Sequence, residues 1–304
     1  AGAEEAFTHS LQGKKDCECR EDTYIDLGWV HFLQGAGGDA EQMVSATRVF
    51  EEYLSEFPAG DWRDQAHFYR GEALVHLGNL EEAMLDHQVV VDEFANSPLR
   101  AESLFALGTG RQELGDGPAA VMHLDAFLKE FPSHDLTSDV AFRRGQLYVD
   151  DGNLVKAAEM FAVAGNDEEF VARDQALFQC GYCFSASEQY ELAAQQYASV
   201  SMECKDSPLA EQACLDAGRC FFHAENYDKA VDWLDRASKS KDMEQVLQAQ
   251  HWICRLDLAQ QRYESGGKEA QRGLKWIEQN ADASHIMRLP LLLDYAEALE
   301  GIPD

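Results

Sequence analysis

Two cysteines separated by two residues, Cys180 and Cys183, form the motif in this chain that is best suited to covalent chemistry. A Cys-x-x-Cys pair exchanges disulfides readily when its first thiol lies at a helix N-terminus, because the helix dipole lowers the thiol pKa there. This pair falls in the middle of a predicted helix, so we expect no such activation. Together with Cys214 and Cys220, the pair is a candidate for a disulfide or a metal site between neighbouring helices. We favour the alternative interpretation, in which these are small apolar side chains that fill tight contacts.

The remaining chemical patterns are weaker. Cys17 and Cys19 supply only two ligands, which is too few for zinc without partners. The glycine-rich stretch 35–38 follows no predicted strand and precedes no Gly-Lys-Ser/Thr, so it does not indicate a phosphate-binding loop. No serine lies in a nucleophile elbow, and the histidines show no His-x-x-x-His spacing. We therefore predict a protein that is not an enzyme, with no catalytic residues and no cofactor.

The charge of the chain restricts its partners. Its 304 residues include 25 Lys and Arg against 55 Asp and Glu, which gives a net charge of −30. Nucleic acids and anionic membrane surfaces would be repelled. No run of 18 apolar residues occurs, so we predict no transmembrane segment. A protein or peptide partner with basic residues suits this charge, whereas the acidity alternatively only keeps a long helical protein soluble.

A repeat of about 37 residues predicts the elements that position these side chains. Five glycines are separated by 37, 37, 36 and 37 residues: Gly71, Gly108, Gly145, Gly181 and Gly218. Each is followed twelve residues later by an alanine: Ala83, Ala120, Ala157, Ala193 and Ala230. A regular period in this range is typical of a stack of similar units rather than of a globular enzyme domain.

Each repeat predicts two helices joined by a tight turn. Segments 64–77 and 99–114 carry apolar residues at helical spacing, and turns such as Gly78-Asn79 separate them from a second helix. Glycine on the first helix and alanine on the second allow the two backbones to approach closely. No run of alternating β-branched residues indicates a sheet. We predict an all-α fold, a right-handed superhelical solenoid of about seven helix pairs plus a C-terminal helix.

The same period predicts the domain organisation. Residues 1–20 are polar and are predicted to be a flexible lead-in, and residues 21–304 a single solenoid. The predicted units are 21–60, 61–98, 99–135, 136–171, 172–208, 209–242 and 243–281, with a terminal helix over 285–300. The seventh unit is irregular, because Arg255 stands where glycine is expected and Ser265-Gly266-Gly267 is predicted to lengthen the turn.

With glycine at the eighth position, alanine at the twentieth and proline near the end, the repeat resembles the tetratricopeptide repeat family. Tyr148, Phe184 and Phe221 match the aromatic place three residues after the glycine. Arg70 and Arg144 depart from the family, since they occupy a place that is normally apolar. The units are longer than the usual 34 residues, in which they are similar to the repeats of bacterial cell-envelope and outer-membrane assembly lipoproteins. The resemblance implies a protein-binding scaffold.

The resemblance also implies a binding face. In the family, first-helix residues near the glycine face a concave groove, and here phenylalanine recurs at one such position in four repeats. The candidate protein-binding residues are Trp29, Phe68, Glu72, His76, Phe105, Gln112, Phe142, Gln146, Phe178, Tyr182, Arg219 and Phe222. The alternative is that neighbouring helices cover the phenylalanines and make them part of the core. Acidic residues along the groove favour a basic ligand segment.

We therefore expect a non-catalytic scaffold that binds a protein or peptide on its concave face, as a subunit or assembly factor of a larger complex. By the second resemblance, we favour a bacterial protein in a periplasmic or envelope-associated location over a cytoplasmic one. Two alternatives remain open. One is a redox or metal-binding repeat protein that uses the cysteines. The other is a regulatory fragment of a longer multidomain protein, because the chain begins with Ala1 rather than Met.

Overall fold

The structure, a computed structural model, describes residues 6–7, 9, 20–282 and 284–302. From Arg20 onwards the described residues form fifteen helices and no strand. The helices are α1 (Arg20–Ala36), α2 (Ala40–Glu56), α3 (Arg63–His76), α4 (Leu80–Glu93), α5 (Arg100–Glu113), α6 (Gly117–Glu130), α7 (Thr137–Asp150), α8 (Leu154–Gly165), α9 (Arg173–Ala186), α10 (Tyr190–Glu203), α11 (Ala210–His223), α12 (Tyr227–Ala237), α13 (Met243–Ala259), α14 (Tyr263–Asn280) and α15 (Arg288–Gly301).

The all-α class is confirmed, with seven consecutive helix pairs and one terminal helix. The contacts divide the chain into two compact units, Ala1–Arg144 and Gly145–Asp304. The single solenoid over residues 21–304 stays a prediction, and the lead-in predicted for residues 1–20 lies almost entirely outside the described residues.

The repeat glycines lie where the two helices of a pair are closest. A Cβ atom added to any of the five would lie less than 3.0 Å from the side chain sixteen residues later, which is His87, Leu124, Phe161, Tyr197 or Leu234. The five repeat alanines are fully buried. The close approach predicted from glycine and alanine is therefore present, and it explains why neither residue is larger.

The turns between the helices of a pair use left-handed backbone. Gly78, Gly115 and Gly152 have φ values of 79°, 78° and 72°. Glycine adopts this region without steric cost, whereas in other residues the Cβ atom comes too close to the backbone and raises the conformational energy. The turns of the last three pairs place Glu188, Glu225 and Gln261 in the same region, with φ of 59°, 57° and 61°.

In three of the helix pairs, an arginine–glutamate ion pair of one common spacing joins the start of the first helix to the end of the second. Each joins the first residue of a first helix to a glutamate thirty residues later, near the end of the second helix: Arg63–Glu93 (3.1 Å), Arg100–Glu130 (2.8 Å) and Arg173–Glu203 (2.5 Å). Arg100 also donates to the Val91 carbonyl, and Arg173 donates to the Gly165 carbonyl at 3.0 Å. These two arginines therefore connect their own pair to the second helix of the preceding pair.

The two arginines that depart from the family pattern form ion pairs inside the first compact unit. Arg70 Nε and Nη2 donate to the carboxylate of Asp86 at 2.8 and 2.7 Å, and Asp86 is only 2% exposed. Arg144 Nε donates to Asp125 at 2.6 Å. Each arginine thus occupies a place where the family usually has an apolar residue, and a carboxylate on a second helix neutralises its charge.

The seventh pair differs from its prediction in one respect. The loop predicted at Ser265-Gly266-Gly267 is wrong, since these residues belong to α14. A Cβ atom on Gly266 would lie 3.3 Å from Cys254 and Asp257 of α13, and one on Gly267 would lie 3.3 Å from Ala298 of α15. The two glycines therefore allow α14 to pack closely against both neighbouring helices, and they do not form a turn.

Candidate protein-binding surface

The phenylalanines that recur on the first helices are more buried than an open groove floor would be. Phe68 is 8% exposed, and Phe105, Phe142 and Phe178 are each half-buried. Leu215, at the same position of α11, is fully buried. Neighbouring helices therefore cover most of this row, as the alternative interpretation expected, although parts of the rings stay accessible.

In the first compact unit, three predicted residues line one cleft. Phe68 and Glu72 of α3 and Phe105 of α5 border a cleft of about 290 Å³ between the second and third helix pairs. Two further carboxylates line it, Glu102 and Glu113 of α5. The sequence interpretation expected Glu113 beside the groove and missed Glu102. The cleft thus combines apolar aromatic surface with three acidic side chains.

A buried histidine lies beside this cleft. His87 of α4 is fully buried, and its Nε2 atom lies 3.3 Å from Glu72 Oε1. Burial lowers the pKa of His87 to about 4, so the ring is neutral at physiological pH. Burial also raises the pKa of the Glu72 carboxyl above its usual range. A cation placed near Glu72 would favour the ionised form of this carboxyl and so oppose the effect of burial.

The other edge of the cleft has basic neighbours. His134 Nε2 lies 3.7 Å from Glu102 Oε1. The guanidinium carbon of Arg143 lies 5.7 Å from the centre of the Phe105 ring, within cation–π range. The cleft is therefore acidic on the α3 side and more balanced in charge towards α7.

Two more predicted residues belong to an aromatic cluster in the first compact unit. The Trp29 ring packs edge-on to Tyr69 at 4.5 Å, and Phe32 lies 6.1 Å from His76. Trp29 is 37% exposed, so the cluster presents part of an aromatic ring at the surface while anchoring α1 to α3. Gln112, on α5, is half-buried.

In the second compact unit, the predicted residues separate into exposed positions and a second aromatic cluster. Gln146 and Tyr182 are exposed. The guanidinium carbon of Arg219 lies 5.5 Å from the Trp252 ring centre, and the Phe222 ring also lies 5.5 Å from Trp252. The binding role of all twelve predicted residues stays a prediction.

Five of the described cysteines are buried, and none of these five has an activated thiol. Cys180, Cys183, Cys214, Cys220 and Cys254 are buried with free thiols. Burial raises their pKa values, to about 12 for the first and last of them and to about 11 for the second and fourth, so the thiols stay protonated. Their burial fits the favoured interpretation, in which they are small apolar side chains between helices.

No metal-binding cluster of three or more His, Cys, Asp or Glu occurs among the residues that the structure describes. Cys180, Cys183, Cys214 and Cys220 therefore have no such arrangement to support the redox or metal-binding alternative. Cys17 and Cys19 lie outside the described residues. In the described part of the chain, no helix is both long enough and apolar enough to cross a membrane.

The fold defines a class, that of helix-pair repeat proteins. The tetratricopeptide repeat model matches residues 105–168 and 183–242. These two segments carry tetratricopeptide repeats, and over them the resemblance drawn from the sequence is confirmed. No curated protein matches it.

Solved structures support the same fold. The apo form of RapI aligns over 98% of this chain and 90% of its own, with 12% identity and a TM-score of 0.55. The C-terminal part of a tetratricopeptide repeat protein from Cytophaga hutchinsonii aligns over 92% and 100%, with 12% identity and a TM-score of 0.51. A tetratricopeptide repeat protein from Parabacteroides merdae aligns over 90% and 98%, with 16% identity and a TM-score of 0.50. At these identities the likeness concerns the fold alone.

Proposed function

We propose that this protein is a non-catalytic scaffold that binds a partner protein through the first-helix face, with the cleft beside Glu72 as its main contact. The tetratricopeptide repeats support the general role, since such repeats bind protein and peptide partners. The observation that carries the specific proposal is the cleft itself, in which two phenylalanine rings lie beside three carboxylates.

The partner segment is a peptide with a basic side chain next to an apolar one. The apolar residue covers Phe68 and Phe105, and the cation lies near Glu72 and Glu102. A net charge of −30 speeds the approach of such a segment and repels acidic competitors. The role extends to a subunit or assembly factor of a larger, envelope-associated complex, for which the length of the repeats is the only support.

The test uses two isosteric changes that leave the fold intact. Glu72→Gln and Glu102→Gln remove the charges from the cleft, and Glu81→Gln, on an exposed position of α4, is the matched control. Partners are recovered from the native source with the immobilised wild-type protein, and their affinity is then measured for each variant. We expect about tenfold weaker binding for each cleft variant and no change for the control.

Two results would contradict the proposal at different levels. A partner that binds the cleft variants as tightly as the wild type uses another surface, such as the Trp252 cluster. Recovery of no partner at all by the folded protein would contradict the scaffold role itself.

A further inference from the structure

A pocket of about 320 Å³ opens in the second compact unit where α10 ends, α11 begins and α12 ends. Its lining includes Lys205, Arg236 and Lys239, with the hydroxyl-bearing Ser201 and Ser240. Glu211 is the single carboxylate of the lining, and it accepts a hydrogen bond from Ser240 Oγ. The lining therefore carries three cations against one anion, in a chain that has more than twice as many acidic as basic residues.

The pocket lies in a helix pair that lacks the arginine carried by three other pairs. Helices α3, α5 and α9 begin with an arginine that pairs with a glutamate thirty residues later. At the equivalent positions, α11 begins with Ala210 and the residue thirty positions later is Ser240. Both residues line the pocket. The space that the arginine side chain occupies in pairs three and five is thus left open in pair six.

Two of the three cations around this space are available to a ligand. Within the part of the chain that the structure describes, neither Lys205 nor Arg236 forms an ion pair with a carboxylate. Arg236 stacks on the Trp233 ring with its guanidinium carbon 4.9 Å from the ring centre, which holds the side chain in place. Lys239 is paired with Asp235 at 2.6 Å on the outer edge.

We propose that this pocket binds a phosphate group, either as free phosphate or as a small phosphate monoester. A guanidinium and an ammonium group, with the Ser201 hydroxyl nearby, suit a tetrahedral dianion better than a planar monoanionic carboxylate. The net charge of the protein opposes an anion at long range. At physiological salt this repulsion is screened beyond about 8 Å, so the groups that line the pocket decide the affinity.

The proposal goes beyond the scaffold role and does not depend on it, because the pocket is formed by other helix pairs than the cleft. We expect a dissociation constant on the order of 1 mM for phosphate. The probes are sodium phosphate and O-phosphoserine, each compared with sodium chloride and sodium acetate at equal ionic strength. Backbone amide NMR shifts report the site of binding, and thermal unfolding reports the stabilisation by ligand.

Four variants test the residues, all at exposed or half-buried positions outside the core. Lys205→Ala and Arg236→Ala are expected to weaken phosphate binding about tenfold each. Lys241→Ala removes an equal charge from an exposed residue outside the pocket and is expected to bind as the wild type does. Ala210→Arg fills the pocket with the missing side chain and is expected to abolish binding without loss of folding.

The two probes distinguish the source of the phosphate. Equal affinity for both assigns the pocket to the phosphate group alone, and tighter binding of O-phosphoserine assigns it to a monoester. The proposal is overturned if neither probe shifts the amides around Ser240 more than chloride or acetate does. It is also overturned if the Lys205 and Arg236 variants bind phosphate as the wild type does.

Discussion

Gly145 of α7 lies directly against the ring of Phe161 on α8, so that a Cβ atom on Gly145 would be 2.8 Å from the ring atom Cε1. Phe161 is only 1% exposed, so its ring lies in the core. The same relation recurs at each repeat glycine, with a side chain sixteen residues later. The repeat therefore depends on contacts inside each pair, where glycine sets the distance between the two helices.

Gly145→Leu is expected to destabilise the protein by about 1–3 kcal/mol or more, because the added side chain overpacks the contact with Phe161. Ala120→Leu, at a fully buried alanine, is expected to act in the same direction. The control is Gly117→Ala at the start of α6, where an added Cβ meets nothing within 4 Å. Chemical denaturation measures all three, and a Gly145 variant as stable as the control would contradict the packing described here.

Arg70→Ala is expected to cost about 3 kcal/mol at pH 7, because it leaves the buried Asp86 carboxylate with His67 as its single basic partner among the hydrogen bonds described. Burial raises the pKa of Asp86, but hydrogen bonds from His67 and Arg70 outweigh it and hold this pKa below its ordinary 3.8. The stabilisation from Asp86 is therefore present above pH 3.8 and lost as the pH falls further. Chemical denaturation of the wild type and the Arg70→Ala variant at pH 7 and pH 3 tests this. If the variant loses the same free energy of unfolding at both pH values, Asp86 is not ionised in the folded protein.

His87 is expected to make the folded state less stable as the pH falls from 6.5 to about 4. Over this range the unfolded chain binds a proton at His87 that the folded chain, with its pKa near 4, does not bind. The full effect is about 3 kcal/mol. The raised pKa of Glu72 acts in the opposite direction in acid, so the comparison must be made with a variant.

His87→Leu is that variant, since Leu124 and Leu234 occupy the same position in other pairs. Its free energy of unfolding, measured from pH 7 to pH 4, is expected to fall less steeply than that of the wild type. Parallel curves for the two proteins would show that His87 titrates normally.

The buried cysteines are expected to react slowly with a thiol reagent in the native state. Cys180 and Cys254 have pKa values raised by burial to about 12, so almost no thiolate exists at pH 8. Cys204, which is half-buried, is expected to be modified first. Ellman's reagent at pH 8, with and without guanidinium, measures this in a protein that carries Cys17→Ser and Cys19→Ser. Rapid labelling of Cys180 or Cys183 in the folded protein would contradict this prediction and support the redox alternative.

Glu225→Gly is expected to stabilise the protein by about 0.5–1 kcal/mol, because Glu225 has a φ of 57° in the turn where other pairs use glycine. Asp228→Gly, on an exposed residue inside the following helix, is the control and is expected to destabilise by a similar amount. Thermal unfolding compares the two. A loss of stability in the Glu225 variant would mean that its side chain makes contacts that outweigh the backbone strain.

The sequence by itself determined the all-α class, the seven helix pairs and the close contacts at glycine and alanine. These features are local or strictly periodic, so the spacing of Gly71, Gly108 and Gly145 was sufficient to predict them. The tertiary structure alone decided which carboxylates share the cleft with Phe68 and which thiols are buried. It also decided that Gly266 and Gly267 lie inside a helix, where their small size serves contacts with two other helices. These properties depend on side chains that packing brings together from separate parts of the chain. The spacing of residues along the chain does not predict which side chains become neighbours.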